Sequence, residues 1–313
     1  MNSLHHRGLG RWTVPVLIVL AALPLLLDAF GQGFYTGVAT RMLALAIAAS
    51  GLNLILGYGG MVSFGHAAFV GLGAYTVAVL ADAGLVNAWL AWPLAMLVSA
   101  AAAAVVGAIS LRTRGVYFIM ITLAFAQMFY FLVISLKAWG GDDGLPLLQR
   151  SSLGFGLDLA DDRQLYWVAL ALCALLMAGM GRLVNARFGW QLQGLRDNEA
   201  RMAALGAPVR RLQWQAFVIA GAAAGLAGAL LANLNGLVTP HMLHWSQSGQ
   251  LLVMVILGGA GALYGGVIGA FLLLALEEGL SSWTLHWQMV LGVLLLIVVL
   301  AAPRGLAGLW RRA

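Results

Sequence analysis

The chain has 313 residues, of which 62% are hydrophobic and only 9% are charged, and its mean hydropathy is +0.92. A water-soluble protein of this length does not need so much apolar surface, so the composition excludes an ordinary soluble domain. The formal net charge of +6 would suit nucleic-acid binding, but the basic residues lie in short segments between apolar runs, which indicates membrane orientation instead.

Apolar runs recur along the whole chain, and a helix that spans a bilayer needs about 20 such residues. The sequence therefore predicts an all-α polytopic membrane helix bundle, with about eight to ten transmembrane segments, some of them short or broken. We expect a single domain over residues 1–313. In chain order the predicted spans are 14–30, 38–56, 61–81, 88–111, 116–136, 165–182, 213–235, 249–277 and 285–302.

The first predicted span follows a basic stretch that contains Arg7 and Arg11, as a secretory signal does. The polar residues Asp28 and Gln32 come after it in place of a small-residue cleavage site. We interpret this span as a retained helix, whose preceding residues lie inside the cell.

Basic residues accumulate in alternate segments between the spans, and Lys and Arg in short loops mark the cytoplasmic side. With both chain ends placed inside, 13 of the 17 basic residues are cytoplasmic and nine of the 11 acidic residues are external. The sequence thus predicts cytoplasmic N- and C-termini and an acidic external face.

Nine simple crossings that start inside would leave the C-terminus outside, so one predicted span has to cross twice. Span 249–277 is the best candidate, because glycines interrupt it and it is too short for two full spans. We expect two short or broken helices that turn near residues 260–266, since non-helical backbone survives at membrane depth only when it is shielded or lines a cavity. Residues 57–65 (GYGGMVSFG) are a weaker candidate for the same arrangement. Close packing or flexibility at glycine is the alternative at both places.

Motifs of membrane-embedded enzymes are absent from the sequence, which contains no GxSxG, HExxH or CxxC motif and no paired carboxylates within a span. Asp28 and Arg41 lie near span ends, and His66 is the main candidate for a deep ionisable side chain. A phosphate-binding loop needs a Gly-Lys-Ser/Thr step, and the only lysine, Lys137, follows Leu136. We therefore predict no metal and no cofactor on this chain, so that ATP and Mg²⁺ would belong to partner subunits.

The longest predicted cytoplasmic segment, residues 182–213, contains GLRDNEARMAALGAPVRRLQ. Acidic residues near the start of this stretch, alanines in its middle, and Gly206 and Pro208 at its end predict a short amphipathic helix. Such a helix could lie on the lipid surface. Its mixed charges and defined ends favour a socket on another protein.

This segment resembles the coupling segment of permeases from ATP-binding-cassette (ABC) importers, in which Glu-Ala-Ala followed by Gly docks into a groove of the ATPase. Glu199 and Ala200 match that pattern, whereas Arg201 replaces the second alanine and Gly206 comes one position later. Other segments resemble the branched-chain amino acid permease family, and most of all its M-type member. The segments that carry this resemblance are 52–75, 114–128, 140–145, 195–206 and 251–270.

The resemblance implies a permease subunit in a bacterial inner membrane, which works with two ABC ATPase subunits, a second homologous permease and a periplasmic substrate-binding protein. Such a subunit contacts the lipid bilayer and no nucleic acid, and it is not itself an enzyme. Closure of the ATPases on ATP would move the coupling helix and switch the pore between its two facing states. The residues implied for ATPase coupling are Arg196, Asp197, Glu199, Ala200, Arg201, Ala203 and Gly206.

Polar side chains and irregular backbone at membrane depth are the candidates for the translocation pathway. A mostly apolar lining would suit a Leu, Ile or Val side chain, although each candidate could instead satisfy a contact between helices. These candidates are Asn53, Ser63, His66, Thr122, Gln127, Gly258, Gly259 and Gly261.

The predicted external segment 137–163 carries Asp142 and Asp143, which could attract basic residues of a binding protein. A solvated loop with an Asx-type turn at 142–144 is an equally good interpretation.

Other functions remain open at this stage. The same architecture could import urea, an amide or an aromatic acid. A membrane-embedded enzyme or assembly factor is a candidate from another class, and a proton-coupled carrier is a third, although the chain lacks an evident relay of deep carboxylates or histidines.

Overall fold

The computed structural model describes residues 10–29, 33–154, 159–284, 286–301 and 305–309. Within these residues the fold is a helix bundle with one pair of two-residue strands, β1 (Leu145–Pro146) and β2 (Leu237–Val238), which pair antiparallel. The helices are α1 (Gly10–Ala29), α2 (Phe34–Asn53), α3 (His66–Asp82), α4 (Ala88–Ser110), α5 (Val116–Ser135), α6 (Asp162–Asn185), α7 (Arg187–Asp197), α8 (Glu199–Ala204), α9 (Val209–Asn235), α10 (Trp245–Gly258), α11 (Gly265–Ser281), α12 (Trp287–Ala301) and α13 (Leu306–Leu309).

Among the residues described, five helical segments are long and apolar enough to cross a membrane: Phe34–Tyr58, α4, α5, α6 and α9. Shorter apolar segments occur at Ile18–Leu27, along α3 and at Trp287–Val298. The predicted all-α membrane bundle with short and broken segments is therefore confirmed. Large apolar side chains such as Leu97, Phe131 and Leu175 are exposed on its surface, as expected where lipid replaces water.

The centre of the bundle is formed by α2 and α9, whose most apolar stretches are each 78% buried. Close approach of α9 to α4 depends on small residues, because a Cβ at Gly225 would lie only 2.6 Å from the Ala95 carbonyl oxygen and the Ser99 hydroxyl. Gly221, one turn earlier, faces Ala103 of α4 in the same way. Gly221 and Gly225, four residues apart on α9, therefore allow the backbones of α9 and α4 to approach closely.

The pair of short helices predicted within 249–277 is present as α10 and α11, which are separated by residues 259–264, here called the second break. A Cβ at Gly258 would meet the Gly265 carbonyl, and one at Gly269 would meet the Met254 carbonyl, so the two helices run antiparallel in close contact. Gly259 has φ +114°, a conformation that glycine tolerates and other residues rarely adopt.

The weaker candidate is also a break. Helix α2 continues as a π-helix over Leu54–Tyr58, and the backbone of residues 59–65 is not helical until α3 begins at His66. We call residues 54–65 the first break. The third span therefore begins five residues later than the predicted position 61.

Three local features differ from the sequence prediction. Between α6 and α9 lie two helices instead of one, because Asp197 ends α7 and Asn198 starts α8 by accepting the Arg201 N–H at 2.9 Å. Helix α9 begins at Val209, four residues before the predicted span. The third feature is the strand pair, which fixes the segment after α5 to the end of α9.

Candidate functional site

The two ends of the bundle differ in the charge of their residues. The basic end contains the α4–α5 turn, α7, α8 and the start of α9, and its ion pair between Arg114 Nη2 and Glu199 Oε1, 2.9 Å apart, joins the α4–α5 turn to α8. The acidic end contains the α3–α4 turn and the segment between α5 and α6. Here the Ala88 N–H donates to the Ser152 carbonyl at 2.8 Å.

Helix α8 projects from the basic end, since none of its six residues is buried. Met202 seats it on α7 by packing against Gly194, and α7 in turn buries Leu192 and Leu195 in the bundle. Beyond α8, Leu205 is 75% exposed and Gly206 turns the chain with φ +79°. The predicted coupling residues Glu199, Ala200, Arg201, Ala203 and Gly206 therefore lie together on one short, anchored projection.

Arg196 connects that projection to the bundle. Its Nη1 atom donates a hydrogen bond to the Gly57 carbonyl oxygen at 2.6 Å, which lies within the first break. Its Nη2 atom lies 3.3 Å from Asp197 Oδ1 at the end of α7. A Cβ at Gly261 would approach Arg196 Nη1 to 3.1 Å, so the guanidinium also touches the second break.

Asn53 joins the two breaks directly. Its Nδ2 atom donates to the Ala262 carbonyl at 2.7 Å, and its Oδ1 atom accepts the Gly261 N–H at 2.9 Å. Gly57 packs against Gly261 so closely that a Cβ would collide with its backbone. Asn53 thus satisfies two polar backbone groups that non-helical chain leaves open at membrane depth.

A groove of about 330 Å³ lies beside this contact at the basic end. Four arginines line it, together with two carboxylates from the α7–α8 region, so it has both charges that a protein partner could pair with. Its charged lining residues are Arg112, Arg114, Arg196, Arg210, Asp197 and Glu199.

The remaining pathway candidates fall into two groups. Thr122 of α5 accepts the Phe64 N–H at 3.2 Å, and Ser63 Oγ accepts the Gly65 N–H at 3.2 Å, so both serve the backbone of the first break. Gly258 and Gly259 close α10 beside Gly265.

His66 and Gln127 stand apart from these contacts. His66 is fully buried at the start of α3, and neither ring nitrogen forms a hydrogen bond of good geometry with the described residues, although the Ala48 carbonyl lies beside the ring. Gln127 Oε1 is likewise buried without a partner in the described part of the chain. Among the described residues, neither side chain forms a hydrogen bond with Asn53.

Asp142 and Asp143 are exposed at the acidic end, on a segment that is fixed on both sides. Leu145 of β1 follows them and pairs with Val238 of β2. Farther along, the Ser151 N–H donates to Asn233 Oδ1 at 2.7 Å. The two carboxylates therefore lie on an exposed loop that is fixed by hydrogen bonds after it.

Sequence reasoning missed Gly57 as the acceptor of Arg196 and Arg114 as the partner of Glu199. The only available signals were the position of Arg114 before a span and of Gly57 after a polar Asn53. In the described residues, no group of three or more His, Cys, Asp or Glu side chains is arranged to hold a metal ion.

Comparison with known proteins gives a consistent result. The family model described as branched-chain amino acid transport system, permease component, matches residues 34–300. The high-affinity branched-chain amino acid transport system permease protein LivM of Salmonella typhimurium is 31% identical over 298 residues, covering 88% of this chain and 70% of the relative. LivM of Escherichia coli is 30% identical with the same coverage. LivH of Escherichia coli is 26% identical over 308 residues, covering 89% of this chain and 96% of the relative. No solved structure matches the chain.

Proposed function

The chain belongs to the family of branched-chain amino acid transport system permease components, and from this premise we propose that it moves Leu, Ile or Val across a bacterial inner membrane. It does so as the permease subunit of an ABC importer, beside a second, homologous permease. A binding protein delivers the amino acid at the acidic end, and two ATPase subunits that carry ATP and Mg²⁺ act at the basic end. The basic end, with both chain termini, faces the cytoplasm.

The observation that carries the coupling role is the unbroken line of contacts from α8 to both breaks. Helix α8 rests on α7, Arg196 at the end of α7 holds Gly57, and Asn53 holds Gly261 beside it. Helices transmit displacement as rigid elements, and packed cores have discrete arrangements. A displacement of α8 by the ATPases therefore reaches both breaks in the membrane domain.

The two breaks are suited to opening because they lack the continuous backbone hydrogen bonds of a spanning helix. Asn53 and Arg196 replace some of those bonds with side-chain contacts between distant segments. Exchanging these contacts costs less than unwinding a helix, since only a few hydrogen bonds change partner. We place the inner gate of the pathway at this junction.

A pair of exposed leucines at opposite ends of the bundle tests the docking role of α8. Leu205 follows α8 and is 75% exposed, whereas Leu148 at the acidic end is 86% exposed. We expect Leu205→Asp to remove the ATPase subunits that co-purify with the permease, because a carboxylate is placed in the buried part of the interface. Leu148→Asp should retain them. ATPase recovery that is equal for both variants overturns the docking assignment.

Substrate class is tested by uptake into proteoliposomes that contain the whole complex, with ATP inside and the binding protein outside. We expect uptake of labelled L-leucine that L-isoleucine and L-valine inhibit. Inhibition by urea, an aliphatic amide or an aromatic acid, with none by L-isoleucine, contradicts the proposed substrate. Uptake that persists without ATP contradicts the proposed energy source.

A further inference from the structure

A cavity of about 270 Å³ lies toward the acidic end, between α2, α3, α9, α10 and the short 3₁₀ turn Pro240–Leu243. Pockets for drug-sized ligands measure roughly 300–1,000 Å³, so this one suits a smaller molecule. Its lining contains both polar and apolar residues. The polar ones are Arg41, Asn235, His241, Gln247 and Gln250.

Arg41 is the cation of this cavity. It lies seven residues inward from Phe34, which corresponds to about 10 Å along α2. Among the described residues its guanidinium forms neither an ion pair nor a hydrogen bond, although it attracts the Glu277 carboxylate through space. An arginine within a membrane span is costly and usually serves function. Its five donors in a planar fork match a carboxylate.

Gln250 of α10 supplies the complementary group. Its Nε2 atom donates to Glu277 Oε1 at 2.7 Å, which fixes the amide and leaves Gln250 Oε1 able to accept a hydrogen bond. The Glu277 carboxylate behind it adds negative potential at the same place. This wall therefore favours an ammonium group, while Arg41 favours an anion.

The apolar wall lies next to these charges. Leu45, one turn inward from Arg41, is joined there by Val70 of α3, Leu231 of α9 and Leu251 of α10. Branched aliphatic side chains from four helices provide the contact surface that a small hydrocarbon group needs. The cavity thus combines an anion site, a cation site and an apolar site.

We propose that this cavity is a transient binding site for a zwitterionic aliphatic amino acid within the permease. Arg41 binds the α-carboxylate, Gln250 with Glu277 binds the ammonium group, and the apolar wall contacts the side chain. Asn53 lies 12 residues farther along α2 than Arg41, about 18 Å away. The site thus lies outside the junction of the two breaks. The inference rests on the proposed substrate class and adds the residues that hold it.

Direct binding of labelled L-leucine to the purified full-length chain in lipid nanodiscs tests the site. We expect binding that L-leucinamide, which lacks the carboxylate, and 4-methylpentanoate, which lacks the ammonium group, do not displace. Arg41→Gln should weaken L-leucine binding by about tenfold or more, because a charge-assisted pair is lost. Arg41→Lys should weaken it less. Lys137→Gln removes an exposed cation at the same end and should leave binding unchanged.

The outcomes separate this site from the proposed function. L-leucine binding that is equal in Arg41→Gln and the unmodified chain overturns the site, as does displacement by L-leucinamide. An unmodified chain that does not bind L-leucine, within a complex that still imports it, overturns the site and leaves the proposed function intact. In the intact complex, Arg41→Gln should reduce L-leucine uptake while the ATPase subunits still co-purify. Loss of those subunits would instead show that Arg41 acts through folding, and would overturn its role as a ligand.

Discussion

Replacing Asn53 with leucine should loosen the second break selectively. Leucine has nearly the same size but leaves the Gly261 N–H and the Ala262 carbonyl without the partners they have at 2.9 Å and 2.7 Å. A buried polar group without a partner costs about 1–3 kcal/mol, whereas side-chain hydrogen bonds inside membranes average about 0.6 kcal/mol. A combined effect of about 2 kcal/mol lies between these limits and corresponds to about 30-fold more frequent local opening.

Hydrogen–deuterium exchange of peptides that cover residues 259–264 measures that opening. The matched control is Asn233→Leu, since Asn233 is also fully buried and its Oδ1 atom accepts the Ser151 N–H at 2.7 Å. The control should accelerate exchange near Ser151 and leave the second break unchanged, because the two asparagines hold different segments. An exchange rate at Gly261 that is the same in Asn53→Leu and the unmodified protein would refute the reasoning.

Three other substitutions probe the coupling contact, the helix packing and the acidic loop. Arg196→Gln should keep the ATPase subunits bound but reduce L-leucine uptake several-fold. Arg187→Gln, which changes an exposed residue on the same helix, should leave uptake unchanged. Equal uptake by the two variants contradicts the coupling role of Arg196. Gly269→Leu should prevent recovery of folded protein from the membrane, because the new side chain would collide with the Met254 carbonyl. The control variant Gly279→Leu should be recovered normally, because its side chain would enter open space. Replacing both Asp142 and Asp143 with lysine should slow uptake more at low than at high ionic strength, because the exposed carboxylates are expected to attract the binding protein. A reduction in uptake that does not depend on salt contradicts this electrostatic attraction.

Backbone breaks were among the features that the sequence could predict. Glycines concentrated in an apolar stretch favour an interruption of the helix there. The distribution of charges between the spans independently required one additional membrane crossing near these glycines. The position of the turn between α10 and α11 followed from these local constraints. Helix α7 could not be predicted in this way, because its apolar residues are few and its stability comes from burying Leu192 and Leu195 against the bundle.

Candidate residues were identified by type, but their roles depended on partners far away in the chain. Arg196 was predicted as a docking residue from its place in the coupling segment, and docking by this residue stays a prediction. The structure adds an inward hydrogen bond to Gly57, 139 residues earlier. Arg41 drew attention only as a charge near a span end, and its cavity is formed by residues from four further elements.

The sequence by itself determined the class of the protein, because hydropathy, charge placement and helix-ending residues act over a few turns of one chain segment. It also indicated the two glycine-rich places at which apolar helices are interrupted, since glycine exerts its effect locally. Only the tertiary structure decided that the two breaks meet, with Asn53 bonding to Gly261 across 208 residues. The pairing of helices depends on which surfaces fit at close range, and neither composition nor periodicity encodes that fit.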